Sequence, residues 1–163
     1  MMKVYITLMG KSTHALVNSF WAASKIHGYY PDKIYIIREN RDDTSRNEVI
    51  KENLKFIMSE FNYSAEIIYV DIDSFDFQGC IDKINEIFNL HEKAEITIDI
   101  TSGRKYMAVA AVLSGWERAE HIFFLQSEMI KYREMPFMMR PMVYQHPVDL
   151  KNFESTRGRV WQI

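Results

Sequence analysis

Along the first 126 positions, five short runs rich in β-branched and aromatic residues are separated by four segments whose apolar residues recur at helical spacing. That alternation constrains the fold more than any other feature. A strand that leads through a helix to the next strand comes back in the same direction by a right-handed crossover, so the repeated unit builds a parallel sheet with helices on both faces. Strands are expected at Lys3 to Met9, Lys33 to Arg38, Ala65 to Val70, Ala94 to Ile100 and Glu120 to Gln126. The segments between them carry Leu16, Val17, Phe20 and Trp21; then Ile50, Leu54, Ile57, Met58 and Phe61; then Phe77, Ile81, Ile84 and Phe88; and last an unbroken apolar run from Met107 to Leu113. The expected class is α/β: a Rossmann-like, doubly wound, mainly parallel sheet in a single domain.

Local signals punctuate this pattern. His27-Gly28-Tyr29-Tyr30-Pro31 ends the first helix, and Ser45-Arg46-Asn47-Glu48 has the capping-box spacing that opens the second. The Met107 to Leu113 run leaves its helix no wet face, so the sheet covers one side and a second subunit is the candidate cover for the other. Beyond Gln126 the order weakens. Residues 1–126 are expected to form the Rossmann domain and 127–163 a C-terminal extension, with a short antiparallel edge at Val143 to Gln145, a lid over the core and a dimer arm as its alternatives.

Composition narrows the partners. With 47% apolar and 13% aromatic residues the chain fills one sizeable core, and a formal net charge of -2 supplies no field to hold long DNA or RNA by its backbone. Any anion site is local. The single cysteine, Cys80, excludes an internal disulfide and is read as packing. No apolar run approaches the ~20 residues of a membrane span and no signal-peptide core precedes Gly10, so a cytoplasmic protein with no membrane partner is expected. No histidine-carboxylate cluster has metal-ligand spacing, and no cofactor is expected.

In a doubly wound sheet of order 3-2-1-4-5, the first and fourth strands meet where the chain reverses across the sheet, and ligands lie at their carboxyl ends. Those ends are Gly10-Lys11-Ser12-Thr13 and the stretch Asp99, Ile100, Thr101, Ser102, Gly103, Arg104 and Lys105. Both combine small residues, hydroxyls, cations and a helix start whose free amides favour an anion. Taken singly, Ser12 and Thr13 read as N-caps and Gly103 as a tight turn. Arg104 and Lys105, however, oppose the helix dipole in succession, which calls for a compensating anion. Only Gly10 stands where a dinucleotide fingerprint needs three glycines, and the first glycine of a P-loop falls at Tyr5, inside the strand. His14 is a candidate acid or base at the rim, or simply exposed. Arg140 and His146 match a ribonuclease spacing, but Pro141 and Pro147 break the helix that motif needs.

Asp99-Ile100-Thr101-Ser102-Gly103-Arg104-Lys105-Tyr106-Met107 resembles the D-x-[ST]-x-G-x-[KN]-x-M signature of the CARF family, the CRISPR-associated Rossmann-fold domains, and Gly10 to Thr13 occupies that family's ligand loop. The resemblance covers roughly Lys3 to Gln126. It implies a homodimer whose two pockets join across a two-fold axis to hold one cyclic oligoadenylate, most often the tetra-adenylate. The 37 residues after Gln126 are too few for the effector domains many members carry, so the resemblance points to a ring nuclease that switches type III CRISPR signalling off. In that chemistry a ribose 2′-hydroxyl attacks its adjacent phosphorus in line, leaving a 2′,3′-cyclic phosphate and a free 5′-hydroxyl. Lys105 matches the motif lysine; Arg104 would stabilise charge and Ser12, a looser match, would orient the ribose or phosphate. A non-catalytic sensor or sponge working through a partner on the tail is the alternative, and an ordinary nucleotide-binding Rossmann protein is a third.

Overall fold

The computed structural model describes residues 1–40, 44–128, 135, 139 and 145–153. Strand β1 (Lys3–Leu8) lies at the centre of the sheet and leads into helix α1 (Thr13–Lys25). Strand β2 (Lys33–Glu39), helix α2 (Ser45–Glu60) and strand β3 (Glu66–Ile72) follow, and build the sheet outward in one direction. Helix α3 (Phe77–Leu90) carries the chain back to β4 (Glu95–Asp99) on the far side of β1; then come helix α4 (Lys105–Gly115), β5 (His121–Ser127) and β6 (Gln145–Asp149). The order is β3-β2-β1-β4-β5-β6, with the first five strands parallel and β6 antiparallel to β5.

Alternation along β1 divides the core. Val4, Ile6 and Leu8 point into one apolar cluster with Cys80, Ile84 and Phe88 of α3 and Met107, Ala110 and Ala111 of α4. Tyr5 and Met9 point into the other, with Leu16 and Phe20 of α1 and Ile50, Leu54 and Ile57 of α2. Burying residues on both faces of the same strand is what makes these runs apolar throughout. The expected doubly wound α/β fold is therefore the observed one.

Two details differ from expectation. Helix α2 begins at Ser45 itself, with Thr44 as N-cap and no side-chain cap bond from it, so the capping box of Ser45 and Glu48 does not form. The antiparallel edge lies at Gln145–Asp149 rather than Val143 to Gln145; Val143 and Tyr144 fall outside the described residues. Its inward positions are Gln145, Pro147 and Asp149, which give hydropathy nothing to detect. Helix α4 packs its small residues on the sheet as expected: a Cβ on Gly115 would collide with Ile98 Cδ1. Its outer side is bare, with Val109 53%, Leu113 64% and Trp116 47% exposed.

At the far end of the sheet β6 is held by polar bonds. His121 Nδ1 lies 2.7 Å from Asp149 Oδ2, which also accepts from Asn152 Nδ2 at 2.7 Å, while Asp149 Oδ1 accepts from the Ile122 amide at 3.2 Å. The bond to Asp149 raises the His121 pKa against the effect of burial. Burial pushes the Asp149 carboxyl up, but the bonds from His121 and Asn152 outweigh it and hold the group below the usual range.

Candidate functional site

The carboxyl ends of β1 and β4 lie side by side, as the strand order requires, and the loops that leave them are packed together. The Gly10 amide donates to Ser102 Oγ at 3.1 Å. A Cβ on Gly10 would stand 2.7 Å from the Gly103 nitrogen, and one on Gly103, whose φ is 97°, would stand 2.6 Å from Leu8 Cβ. Both positions therefore need glycine for close approach, and Gly103 also for its left-handed backbone.

Most of the second stretch is framework. Asp99, expected at the ligand, is instead fully buried: Oδ1 accepts from the Thr101 amide at 2.8 Å and the other oxygen from the Tyr5 hydroxyl. Burial pushes its carboxyl above the usual range against the pull of those bonds, and raises the Tyr5 hydroxyl well above its own. Asp99 thus shapes the turn from below: it shares a face of β4 with Thr97, opposite Ile96 and Ile98, and both faces are buried. Thr101 Oγ1 accepts from the Leu125 amide at 2.8 Å and ties the turn to β5, and Ser102 is buried under Gly10.

Arg104 and Lys105 divide into two roles. Arg104 is the N-cap residue of α4, and its Nε lies 3.0 Å from Glu39 Oε1 at the end of β2. That oxygen also accepts from the Tyr106 hydroxyl at 2.7 Å and the Phe75 amide at 3.2 Å. Burial alone would raise the Glu39 carboxyl; the Tyr106 and Phe75 bonds and the Arg104 charge overcome it and hold it below the ordinary range. The anion expected opposite Arg104 is thus, in the chain itself, Glu39. Lys105 opens α4, is exposed, and makes no ion pair among the described residues.

In the first stretch, Ser12 caps α1, its Oγ accepting from the Ala15 amide at 3.2 Å. Lys11 is exposed beside it. Sequence reasoning missed the residue that braces this loop: Arg46, in the first turn of α2, donates through Nη2 to the Gly10 carbonyl at 2.8 Å and through Nε to Thr13 Oγ1 at 3.2 Å. A cation at a helix start was the signal that singled out Arg104 and Lys105, and it would have found Arg46 too. Thr13, His14 and Arg46 also border a cavity of about 440 Å³ between α1 and α2, walled by Val17, Val49 and Phe56. His146 lies in strand β6 rather than in a helix and contacts Glu128 at 2.6 Å, and Arg140 lies outside the described residues.

Among the described residues no helix is long and apolar enough to cross a membrane, and no three metal-ligating side chains gather. What the site offers is a floor of two interlocked glycine turns, the amides of two helix starts, the fixed guanidiniums of Arg46 and Arg104, and the exposed ammonium groups of Lys11 and Lys105. Such a surface suits a phosphate-bearing ligand.

Residues 6–130 match the family described as HFX_2341_N:-like, N-terminal. No curated protein matches the sequence. Among solved structures, Can2 from Sulfobacillus thermosulfidooxidans in complex with cyclic tetra-adenylate has a TM-score of 0.60 at 16% identity, over 93% of this chain and 35% of that one. Csm6 from Enterococcus italicus bound to cyclic hexa-2'-fluoro-hexa-dAMP gives 0.59 at 16%, over 96% and 44%. A type III CRISPR defence DNA nuclease activated by cyclic oligoadenylate gives 0.50 at 16%, over 78% and 18%. The chain spans less than half the length of these solved chains, and at such identities the likeness is one of fold. The CARF-like fold implied by the resemblance is borne out.

Proposed function

The chain belongs to the family described as HFX_2341_N:-like, N-terminal, and on that footing we propose that it binds a cyclic oligoadenylate at the joined ends of β1 and β4. The observation that carries this reading is Lys105, an exposed ammonium without an ion-pair partner among the described residues, at the helix start that follows the Gly103 turn interlocked with Gly10. Support comes from the shared fold of Can2 and Csm6, each solved with a cyclic nucleotide ring. The tetra-adenylate is the proposed ring.

The same reading assigns the bare side of α4 to a second copy of the chain. Lys105, Val109, Leu113 and Trp116 follow one another at helical spacing on that exposed side. A two-fold axis running beside this stripe brings two Lys105 residues to one mouth, and a cyclic ligand with matched phosphates spans it.

Cleavage is proposed by in-line attack of a ribose 2′-hydroxyl on its own phosphorus. The O2′–P bond forms as the P–O5′ bond breaks, the 2′-hydroxyl gives its proton to water and the departing O5′ takes one from water, and the products carry a 2′,3′-cyclic phosphate and a 5′-hydroxyl. Lys105 stabilises the charge growing on the phosphorane, Arg104 contributes a fixed positive field from its seat on Glu39, and Ser12 helps orient the ribose or phosphate. Holding the in-line geometry can itself supply ~7–11 kcal/mol. Loss of the intact ring switches the type III CRISPR signal off.

A single-turnover incubation with tri-, tetra- and hexa-adenylate rings tests this directly. Linear products ending in a cyclic phosphate are expected, with Lys105→Ala lowering turnover more than affinity. Rings left intact by excess protein after long incubation would sink the cleavage step. The second reading, a non-catalytic sensor, is favoured by one observation: Glu39 already neutralises Arg104, leaving Lys105 to face the phosphorane alone. It predicts tight binding with no product.

A further inference from the structure

Phe75 stands in the turn between β3 and α3 with φ 59°, a left-handed backbone conformation. Glycine or asparagine adopts that conformation readily, whereas a bulky side chain there is a steric outlier. The ring is not repaid by burial, since the residue is 67% exposed. A strained backbone that presents an exposed aromatic ring is the kind of feature found where a ligand is held.

What surrounds the ring ties it to the site already described. The Phe75 amide donates to Glu39 Oε1 at 3.2 Å, the oxygen that also receives Arg104 Nε at 3.0 Å and the Tyr106 hydroxyl at 2.7 Å. One carboxylate therefore positions both the cation at the start of α4 and the aromatic ring beside it. The Arg104 guanidinium carbon lies 5.4 Å from the Phe75 ring centroid, and the Tyr106 ring 6.3 Å away at 44°. The ring thus borders the rim on which Lys105 stands, one residue beyond Arg104.

We infer that Phe75 is a stacking platform for a nucleobase of the bound ring, with Arg104 fixing the orientation of its aromatic face. The inference rests on the cyclic oligoadenylate reading given above. Cations at the α4 start meet phosphate, whereas an exposed ring beside them meets the flat, apolar face of a base. Every base has such a face, so Phe75 strengthens binding without selecting sequence. Adenine, a purine with a large stacking surface, is a suitable partner.

The test uses the full chain, cyclic tetra-adenylate and two variants. Phe75→Gly removes the ring and relieves the backbone; Phe75→Trp keeps a stacking surface. The expected result is that Phe75→Gly unfolds at a denaturant concentration equal to or above wild type and keeps the oligomeric state of wild type. Its affinity should fall about 5- to 100-fold, the size of one lost base-aromatic stack, while Phe75→Trp binds within about threefold of wild type. Two results overturn the inference. In one, Phe75→Gly binds as well as wild type. In the other, it loses binding together with stability or oligomeric state, which makes Phe75 a packing or subunit-contact residue. Wild-type protein that binds no ring at all removes the functional reading itself, and this inference with it.

Discussion

Arg104 Nε lies 3.0 Å from Glu39 Oε1, so the first of two successive cations at the start of α4 is neutralised by the end of β2 before any ligand arrives. Its neighbour Lys105 makes no such pair among the described residues. Two cations adjacent in sequence are thereby expected to behave differently when removed. Lys105→Ala should leave unfolding in urea within about 0.5 kcal/mol of wild type, since it deletes an exposed, unpaired group. Glu39→Gln should cost about 1–3 kcal/mol, because it strips a buried acceptor of its charge beside a guanidinium. Equal losses in the two variants would show that Lys105 also has a structural partner.

Acid titration gives a second check on Glu39. Its folded carboxyl lies below the ordinary range, while the unfolded one titrates near ~4.3. A depressed carboxyl adds stability that is complete above the unfolded value and disappears as pH falls through the folded one. Stability of the wild type should thus drop on acidification below about pH 4.3 more steeply than that of Glu39→Gln, as followed by urea midpoints.

The two glycine turns are expected to tolerate no side chain. Gly103→Ala brings a methyl to 2.6 Å from Leu8 Cβ in a left-handed backbone, and Gly10→Ala a methyl to 2.7 Å from a backbone nitrogen. Each should lose about 1–3 kcal/mol by urea unfolding. Ligand affinity, by titration calorimetry at a temperature where both remain folded, should fall as well, because the turns separate.

At the opposite end of the sheet, pH should loosen β6 from the alkaline side. His121 has a raised pKa, so its contribution is complete below the unfolded value of about 6.5 and lost as pH rises through the higher folded one. Asp149 is depressed, so its share is present above about 3.9 and lost on acidification through its folded value. Hydrogen exchange at Val148, corrected for its intrinsic rate, should be slowest between those limits and accelerate above neutrality. His121→Gln should flatten the alkaline rise.

The bare stripe on α4 makes a claim about assembly. Leu113→Lys places a charge where the proposed subunit contact is apolar, and should give a monomer in sedimentation with an unfolding midpoint near that of wild type. If the ring spans two subunits, its affinity should drop at least about tenfold in the same variant. A wild-type monomer that binds the ring fully would refute the two-fold site.

The five parallel strands and four helices were readable because each presents an uninterrupted apolar run or a single apolar face. Strand β6 is hard to place from sequence because its buried residues are Gln145, Pro147 and Asp149, and Asp149 and Gln145 are held by hydrogen bonds rather than by hydropathy. The meeting of the two loops followed from strand order alone, as the close approach of Gly10 and Gly103 shows. The direction in which each motif residue points did not. Asp99 and Thr101 turn inward to hold the loop, and the partners of Arg104 and Gly10, Glu39 and Arg46, come from β2 and α2. Pairings of that kind are set by how the sheet brings distant ends together, and no local pattern encodes them. Nothing in the sequence marks Phe75, since a backbone angle has no signature in composition.

Cys80 lies on the inner side of α3 with no exposed surface, and burial pushes its thiol up to about 12. A group so placed is inert to thiol reagents while the helix is seated, and reacts only when α3 lifts from the sheet. The chain therefore carries its own clock for local opening: the labelling rate of its single cysteine measures how often that face of the core comes apart. The same inertness leaves the surface free for a chemical label, so a cysteine introduced at an exposed position on the rim can be modified alone in the native protein.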